Sequence, residues 1–248
     1  MDTNDKPPFT SEEVPEHLSL MNPNKAPELD NLTSDICLQF AKNYPQLLTD
    51  ILNSCLALQH FPDCWKVAYV KIILKPSKSD YGELNSCRPI GLLPVFGKLL
   101  ERLFIKRVTY WAANNSHSCP RFGFREQTNS TMAIDTALDV IRWAKDNGEL
   151  VIALSLDIQA AFDNAWWPAL FHRLRTINCT RNIYGLIRSY ARNRMTTLDH
   201  VEVRVTKTKG CIQGSACGPV LWNIILDELF GAELPAGCHI QAYADDVF

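Results

Sequence analysis

No apolar run in the 248 residues reaches the roughly 18 that a membrane-spanning helix needs, which argues against a transmembrane protein. The opening MDTNDKPPFTSEEVPEH is polar and acidic and lacks the basic start and apolar middle of a secretory signal. There are nine cysteines, but no Cys-x-x-Cys pair, and none spaces well with the six histidines. A disulfide framework and a zinc site are thereby disfavoured, and free thiols in a reducing compartment are expected. No internal repeat and no low-complexity tract is present. What is present is ordinary for a folded soluble chain: 46% hydrophobic and 21% charged residues. That is enough apolar material for a sizeable core.

The net charge is −2, which gives no support to a general nucleic-acid binder. Its distribution is uneven. Residues 1–65 carry 3 basic and 10 acidic side chains, residues 66–125 carry 11 and 3, and residues 126–248 carry 11 and 14. The central basic block can line a path for a polyanion. An ordinary solvated surface is the plainer alternative.

Residues 1–31, rich in Pro, Asn and acid, read as a loose arm. From Leu32 to Gln59 apolar residues recur at helical spacing, with Pro45 splitting two helices and Thr33 or Ser34 capping the first. VAYVKIIL, 67–74, reads as a buried strand and 77–87 as a polar loop. Residues 95–113 form a helix, and Ser130 or Thr131 caps another that Gly148 closes. VIALSLDI, 151–158, is a strand that turns acidic at its end. Helices follow near Trp166 and over 181–193, then strand material over 201–212, then a helix opened by Gly218-Pro219. HIQAYADDVF closes as a strand. The order predicts an α+β fold with a small, largely antiparallel sheet.

Three features carry chemistry. Asp157 ends an apolar strand, where a buried unpaired carboxylate is too costly, so it faces solvent or a cation. Asp245 and Asp246 lie together in AYADDVF. Neighbouring strand residues point to opposite faces, so one acid shares the face of Tyr243 and the other lies across the pleat or in a turn. GCIQGSACGPVLWNIIL is a polar, Gly-containing loop that feeds a helix, a place where backbone amides meet phosphates. Each has a bland reading: a strand end, a hairpin turn, an ordinary connection. Together, strand-borne carboxylates can converge on hard divalent cations, and oxygen ligands suit Mg²⁺. Two such ions can hold the attacking and leaving oxygens of a phosphoryl transfer.

These blocks in this order resemble the reverse transcriptase domain of non-LTR retrotransposons. LNSCRPIGLLPVFGKLLERL and FGFREQTNSTMAI are similar to the family's first two blocks. SLDIQAAFDNAWW, GCIQGSACGP and AYADD are similar to the catalytic-aspartate, Gln-Gly and Tyr-x-Asp-Asp blocks. NKAPELDNLTSDIC and FPDCWKVAYVKIILKPSK resemble the N-terminal extension. DNAWWPAL, IYGLIRSY and KGCIQGS most resemble arthropod elements that insert into ribosomal RNA genes.

The resemblance implies the fingers and palm of a right-hand polymerase, with the N-terminal extension and fingers over 32–150 and the palm over 151–248. It implies RNA-directed DNA synthesis from dNTPs on an RNA template and a DNA primer, with two Mg²⁺ ions for which Mn²⁺ is a substitute. Asp157, Asp245 and Asp246 would be catalytic and, with the Ile158 carbonyl, would hold the metals. Arg88 resembles the arginine that grips the triphosphate, assisted by Lys75 or Lys78. Phe162 resembles the steric gate against a 2′-hydroxyl. Gln213 and Gly214 would meet the nucleotide, and Arg125 and Tyr243 the template or primer. The product would act inside the cell, in cytoplasm and nucleus, although no targeting signal is visible, and no membrane is involved. Because the chain stops at Phe248, two residues after Asp246, the resemblance implies that the returning strand and the thumb are missing. A partial copy that extends primers poorly or not at all is the resulting expectation. A non-catalytic RNA-binding remnant is the alternative. A metal-dependent phosphohydrolase is a third reading, which the Gln-Gly block opposes.

Overall fold

In the computed structural model of the protein, the described residues are 4–22, 30–76, 80–83, 86–115, 121–198 and 201–248. The chain is a mixed α+β structure with two sheets. Pro45 divides the first apolar stretch as its missing N–H requires. Helix α2 runs Ser34–Asn43, Tyr44 leaves helical geometry, and α3, Pro45–Ala57, takes the proline in its first turn. Thr33 is the extended N-cap of α2.

Of the stretch expected as a loose arm, residues 5–19 are tied down instead. Helix α1 covers Glu13–Ser19, and Phe9, Val14 and Leu18 are fully buried. Burying such side chains stabilises by about 1.5–3 kcal/mol each. Polar side chains also fasten the backbone. Asn53 of α3 accepts from Phe9 N at 2.6 Å and donates to Phe9 O at 3.0 Å. Asn182 does the same for Lys6 at 3.1 and 2.9 Å. Arg107, on the long helix α4 (Val95–Asn115), donates to the Pro8 carbonyl at 3.0 Å, and its guanidinium lies 4.4 Å from the Phe9 ring centroid. Composition is silent about these distant partners.

The first sheet has the order β2-β1-β4-β5, with β1 Val67–Leu74, β2 Cys87–Leu92, β4 Arg194–Leu198 and β5 Val201–Lys207. β1 has the expected bounds but not the expected burial: Ala68 is buried, whereas Ile72, Ile73 and Leu74 are exposed, because this end of the strand pairs only with the edge strand β2. β2 contains Pro89, which cannot donate to a ladder and is tolerated because β2 is an edge strand. β4 pairs parallel with β1, so strands from both sides of residue 150 share this sheet.

The second sheet is small and antiparallel: β3 Leu156–Asp157, β7 Asp246–Val247 and β6 Ala242–Tyr243, in the order β3-β7-β6. The strand expected over 151–158 is ordered as a ladder only at Leu156 and Asp157. Ile152 and Leu154 are 86% and 69% exposed. A strand exists only where a partner supplies its hydrogen bonds, and β7 pairs with just these two residues.

Helix α5, Ser130–Asp146, starts one residue before the expected cap, on Asn129, whose side chain accepts from Met132 N at 2.9 Å. Gly148, at φ +74°, follows its end. The short α6 (Ala161–Asn164), then α7 (Trp167–Thr176), α8 (Arg181–Ala191) and α9 (Gly218–Leu226), complete the order. One apolar core joins α1–α4 to α7–α9. Every described cysteine is a free thiol. Burial pushes Cys37 and Cys55 up to about 11 and Cys179 and Cys211 up to about 12, so these sulfurs are neutral packing groups. No helix among the described residues is long and apolar enough to cross a membrane.

Candidate functional site

Two of the three acids face each other on the small sheet, and the third lies in its turn. Asp157 of β3 is the register partner of Asp246 of β7, and Asp246 is in turn the partner of Tyr243 of β6. Residues directly opposite on an antiparallel pair share a face, with Cβ atoms about 4.5–5.5 Å apart. Asp157 and Asp246 are both exposed there, and Tyr243 is 36% exposed beside them. Asp245 is not in a strand. Ala244 and Asp245 form the two-residue turn between β6 and β7, with Asp245 half-buried. Two like charges facing each other cost energy unless a cation lies between or near them.

The turn is held under backbone strain. Ala244 has φ +58°, a left-handed conformation that costs a non-glycine residue about 1–2 kcal/mol. Its surroundings keep it there. Trp222 of α9 donates Nε1–H to Ala244 O at 3.3 Å. Gly123 presses against it so closely that a Cβ would lie 2.0 Å from Ala244 N. Asn223 donates to Gly123 O at 3.0 Å, and Phe122 N donates to Ala242 O at 2.9 Å. Behind them, buried Asp227 pairs with Arg121 at 2.8 Å and with Arg173. Sequence reasoning assigned no role to Gly123, Trp222, Asn223 or Asp227. The one available signal was a glycine between two phenylalanines at 122–124.

Phe162 of α6 is half-buried, 5.7 Å from the Phe124 ring and 6.4 Å from the Trp222 ring, centroid to centroid. Its carbonyl accepts from Cys211 N at 2.7 Å, which ties α6 to the loop before α9. Gln213 and Gly214 of that loop are exposed. Gly91 of β2 donates to Gln213 O at 2.7 Å. A Cβ on Gly91 would meet Ile212 Cγ2 at 2.1 Å, and one on Gly214, at φ +112°, would meet Gly91 O at 2.5 Å. Both glycines are needed for this close approach.

Arg88 lies three residues before Gly91, about 10 Å along the exposed edge strand. It pairs in register with Ile73, one residue before Leu74 and two before Lys75. Lys75 is half-buried, with its N–H on Ser86 O at 2.8 Å. Lys78 lies outside the described residues. Arg125 is exposed and, with Phe124, Arg102 and Lys106, lines a 690 Å³ groove against α1, α4 and α9. Ile158 is half-buried and packs on Leu226, Ala242 and Val247. The acids, Tyr243, Phe162 and the Gln-Gly loop thus form one connected assembly. Arg88 and Lys75 belong to the hairpin that Gly91 anchors to it.

Part of the basic block is spent internally. Buried Lys66 pairs with Asp63 at 2.8 Å, Arg107 with Glu13 at 3.3 Å, and Arg121 with Asp227. Among the described residues no three His, Cys, Asp or Glu side chains form a ready metal cage. The carboxylates nevertheless fit a hard cation. Magnesium commonly takes one or two carboxylates and completes its shell with water and substrate phosphates.

A family model described as reverse transcriptase (RNA-dependent DNA polymerase) matches residues 73–248, and the chain belongs to that family. It is 32% identical over 97% of its length to the putative 115 kDa protein in type-1 retrotransposable element R1DM of Drosophila melanogaster, spanning 24% of that relative. It is 32% identical over 97% of its length to the RNA-directed DNA polymerase from mobile element jockey of Drosophila funebris, spanning 27% of it. The type-1 retrotransposable element R1 polyprotein of Bradysia coprophila is 30% identical over 97% of the chain, which spans 24% of it. The chain therefore covers about a quarter of the length of these relatives. The likeness to arthropod non-LTR retrotransposon polymerases agrees with the five sequence blocks.

Proposed function

We propose that this chain is the RNA-directed DNA polymerase domain of a retrotransposon product. The observation that carries this reading is the register of β3 and β7. It sets Asp157 opposite Asp246, with Asp245 in the adjoining turn. In this reading β1 and β2 belong to the fingers over 32–150 and the sheet β3-β7-β6 to the palm over 151–248, with β4 and β5 of the later segment joining the sheet of the fingers. An RNA template, a DNA primer and a dNTP are the substrates. The primer 3′-hydroxyl attacks the α-phosphorus, a phosphodiester bond forms, and pyrophosphate leaves.

Asp157, Asp245, Asp246 and the Ile158 carbonyl would hold divalent ions, Mg²⁺ with Mn²⁺ as substitute. Such ions would supply charge neutralisation at the attacking and leaving oxygens. Phe162, steadied by Phe124 and Trp222, would pack its flat ring under the sugar, where a ribose 2′-hydroxyl would clash. Gln213 and Gly214 face the nucleotide from the loop that Gly91 anchors. Arg88 is exposed and permanently charged, suited to a triphosphate. Lys75 or Lys78 supports it as a point charge, and Arg125 and Tyr243 contact template or primer.

Primer extension on an RNA template tests the reading. Extension should require Mg²⁺ or Mn²⁺ and fall at least 100-fold in Asp157→Asn, with template–primer affinity kept. Equal extension by Asp157→Asn, or extension in chelator, would refute it.

A further inference from the structure

One carboxylate in the core is unexplained by the roles above. Glu101 of α4 is 1% exposed and sits between core residues Leu100 and Leu103. Burying a carboxylate is costly unless strong donors meet it. Its Oε2 collects three donors from one short stretch: Ser215 Oγ at 2.8 Å, Ala216 N at 2.7 Å and Cys217 N at 3.4 Å. These amides stand at the start of α9, whose own N-cap, Cys217, makes no side-chain cap bond. A side chain from another helix therefore performs the capping.

The bond extends inward. Since Ser215 gives its hydroxyl proton to Glu101, it accepts from the buried Tyr190 hydroxyl at 2.9 Å. Tyr190 is wedged edge-on against Phe61, Phe104 and Trp167. On the outer side the same loop is clamped by Gly91 at Gln213. The loop is thus held at two points, the Gln213 carbonyl on Gly91 and Ser215 on Glu101, with the Gln213 and Gly214 residues exposed.

We propose that Glu101 is a positioning residue that sets the conformation of the Gln213–Gly214 loop and, through it, the affinity for the incoming nucleotide. It touches no substrate. The second half of the proposal rests on the polymerase reading; the first does not.

Amide hydrogen exchange and equilibrium dNTP binding in Mg²⁺, on the full chain, test it with Glu101→Ala and Glu101→Gln. In Glu101→Ala the amides of 215–217 should exchange at least tenfold faster while those of β1 stay unchanged. The dNTP Kd should rise about tenfold and template–primer Kd less than twofold. Glu101→Gln, which keeps an acceptor oxygen but loses the charge, should rescue part of both effects and show at least a threefold change in each. If the alanine variant does not fold, the glutamine variant decides alone. Unchanged exchange at 215–217, or loosening that is equal in β1, overturns the proposal. So does faster exchange with unaltered dNTP affinity. A wild-type chain that binds no dNTP in Mg²⁺ sinks the polymerase reading instead, and the exchange data still report on the hold of Glu101 over the loop.

Discussion

Residues 5–18 and residues 150–156 lie at opposite extremes of how a segment is held. The first is rich in proline and acid. It buries Phe9, Val14 and Leu18 and is fastened by Asn53, Arg107 and Asn182 from three distant parts of the chain. The second is dominated by Leu, Val and Ile. It leaves Leu150, Ile152 and Leu154 exposed and enters a ladder only at Leu156. Hydrophobicity creates a demand for burial, but a partner in the right place decides whether that demand is met. A few well-placed amide and guanidinium groups fix a polar segment better than apolar content fixes an unpaired one.

The comparison can be broken most forcefully at Phe9. Phe9→Ala should lower the unfolding free energy by about 3–5 kcal/mol in urea titration. A loss below 1 kcal/mol would place the segment outside the core. Asn53→Ala strips both hydrogen bonds from the Phe9 backbone and should cost about 1–3 kcal/mol. Faster exchange of the Phe9 amide would locate the damage.

A pH titration sharpens the contrast further. Burial, helped by nearby Lys106, holds His17 of α1 below its ordinary value of 6.5, against weaker opposing pulls from Glu16 and Glu13. The folded chain keeps it neutral while the unfolded chain takes a proton. Its contribution to stability is therefore complete above about pH 6.5 and is lost as pH falls from there through the lowered folded value. Stability measured from pH 7.5 downward should decline less in His17→Gln than in the wild type. The smallest effect belongs to the other region: Ile152→Ser should change stability by no more than about 0.5 kcal/mol. A large loss there would mean that the run is buried in solution.

Much of the local structure was legible because it depends on neighbours in sequence. The bounds of β1, the break at Pro45, the Gly148 helix end and the proline-started α7 and α9 all follow from periodicity and backbone chemistry. β2 was not legible, since Pro89 and Gly91 make CRPIGL look like a loop. Only its edge position reconciles the proline with a strand. Of the site, the acids and the Gln-Gly loop were visible as motifs. Which aspartate shares the face of Tyr243 was open, because alternation alone does not say where the turn falls. The turn takes Ala244 and Asp245, so Asp246 is the facing acid.

By itself, then, the sequence determined the family, the helix break at Pro45, the helix end at Gly148, the proline-started α7 and α9 and the residues able to do chemistry, all properties of short ordered blocks. The tertiary structure alone decided the partners. It seated Gly123 and Trp222 on a strained turn, Gly91 against Gly214, and a core glutamate beneath the Gln-Gly loop. These contacts join residues up to 123 positions apart, as between Gly91 and Gly214. Close approach and hydrogen-bond satisfaction at such separations depend on how the elements pack, and local patterning carries no record of that.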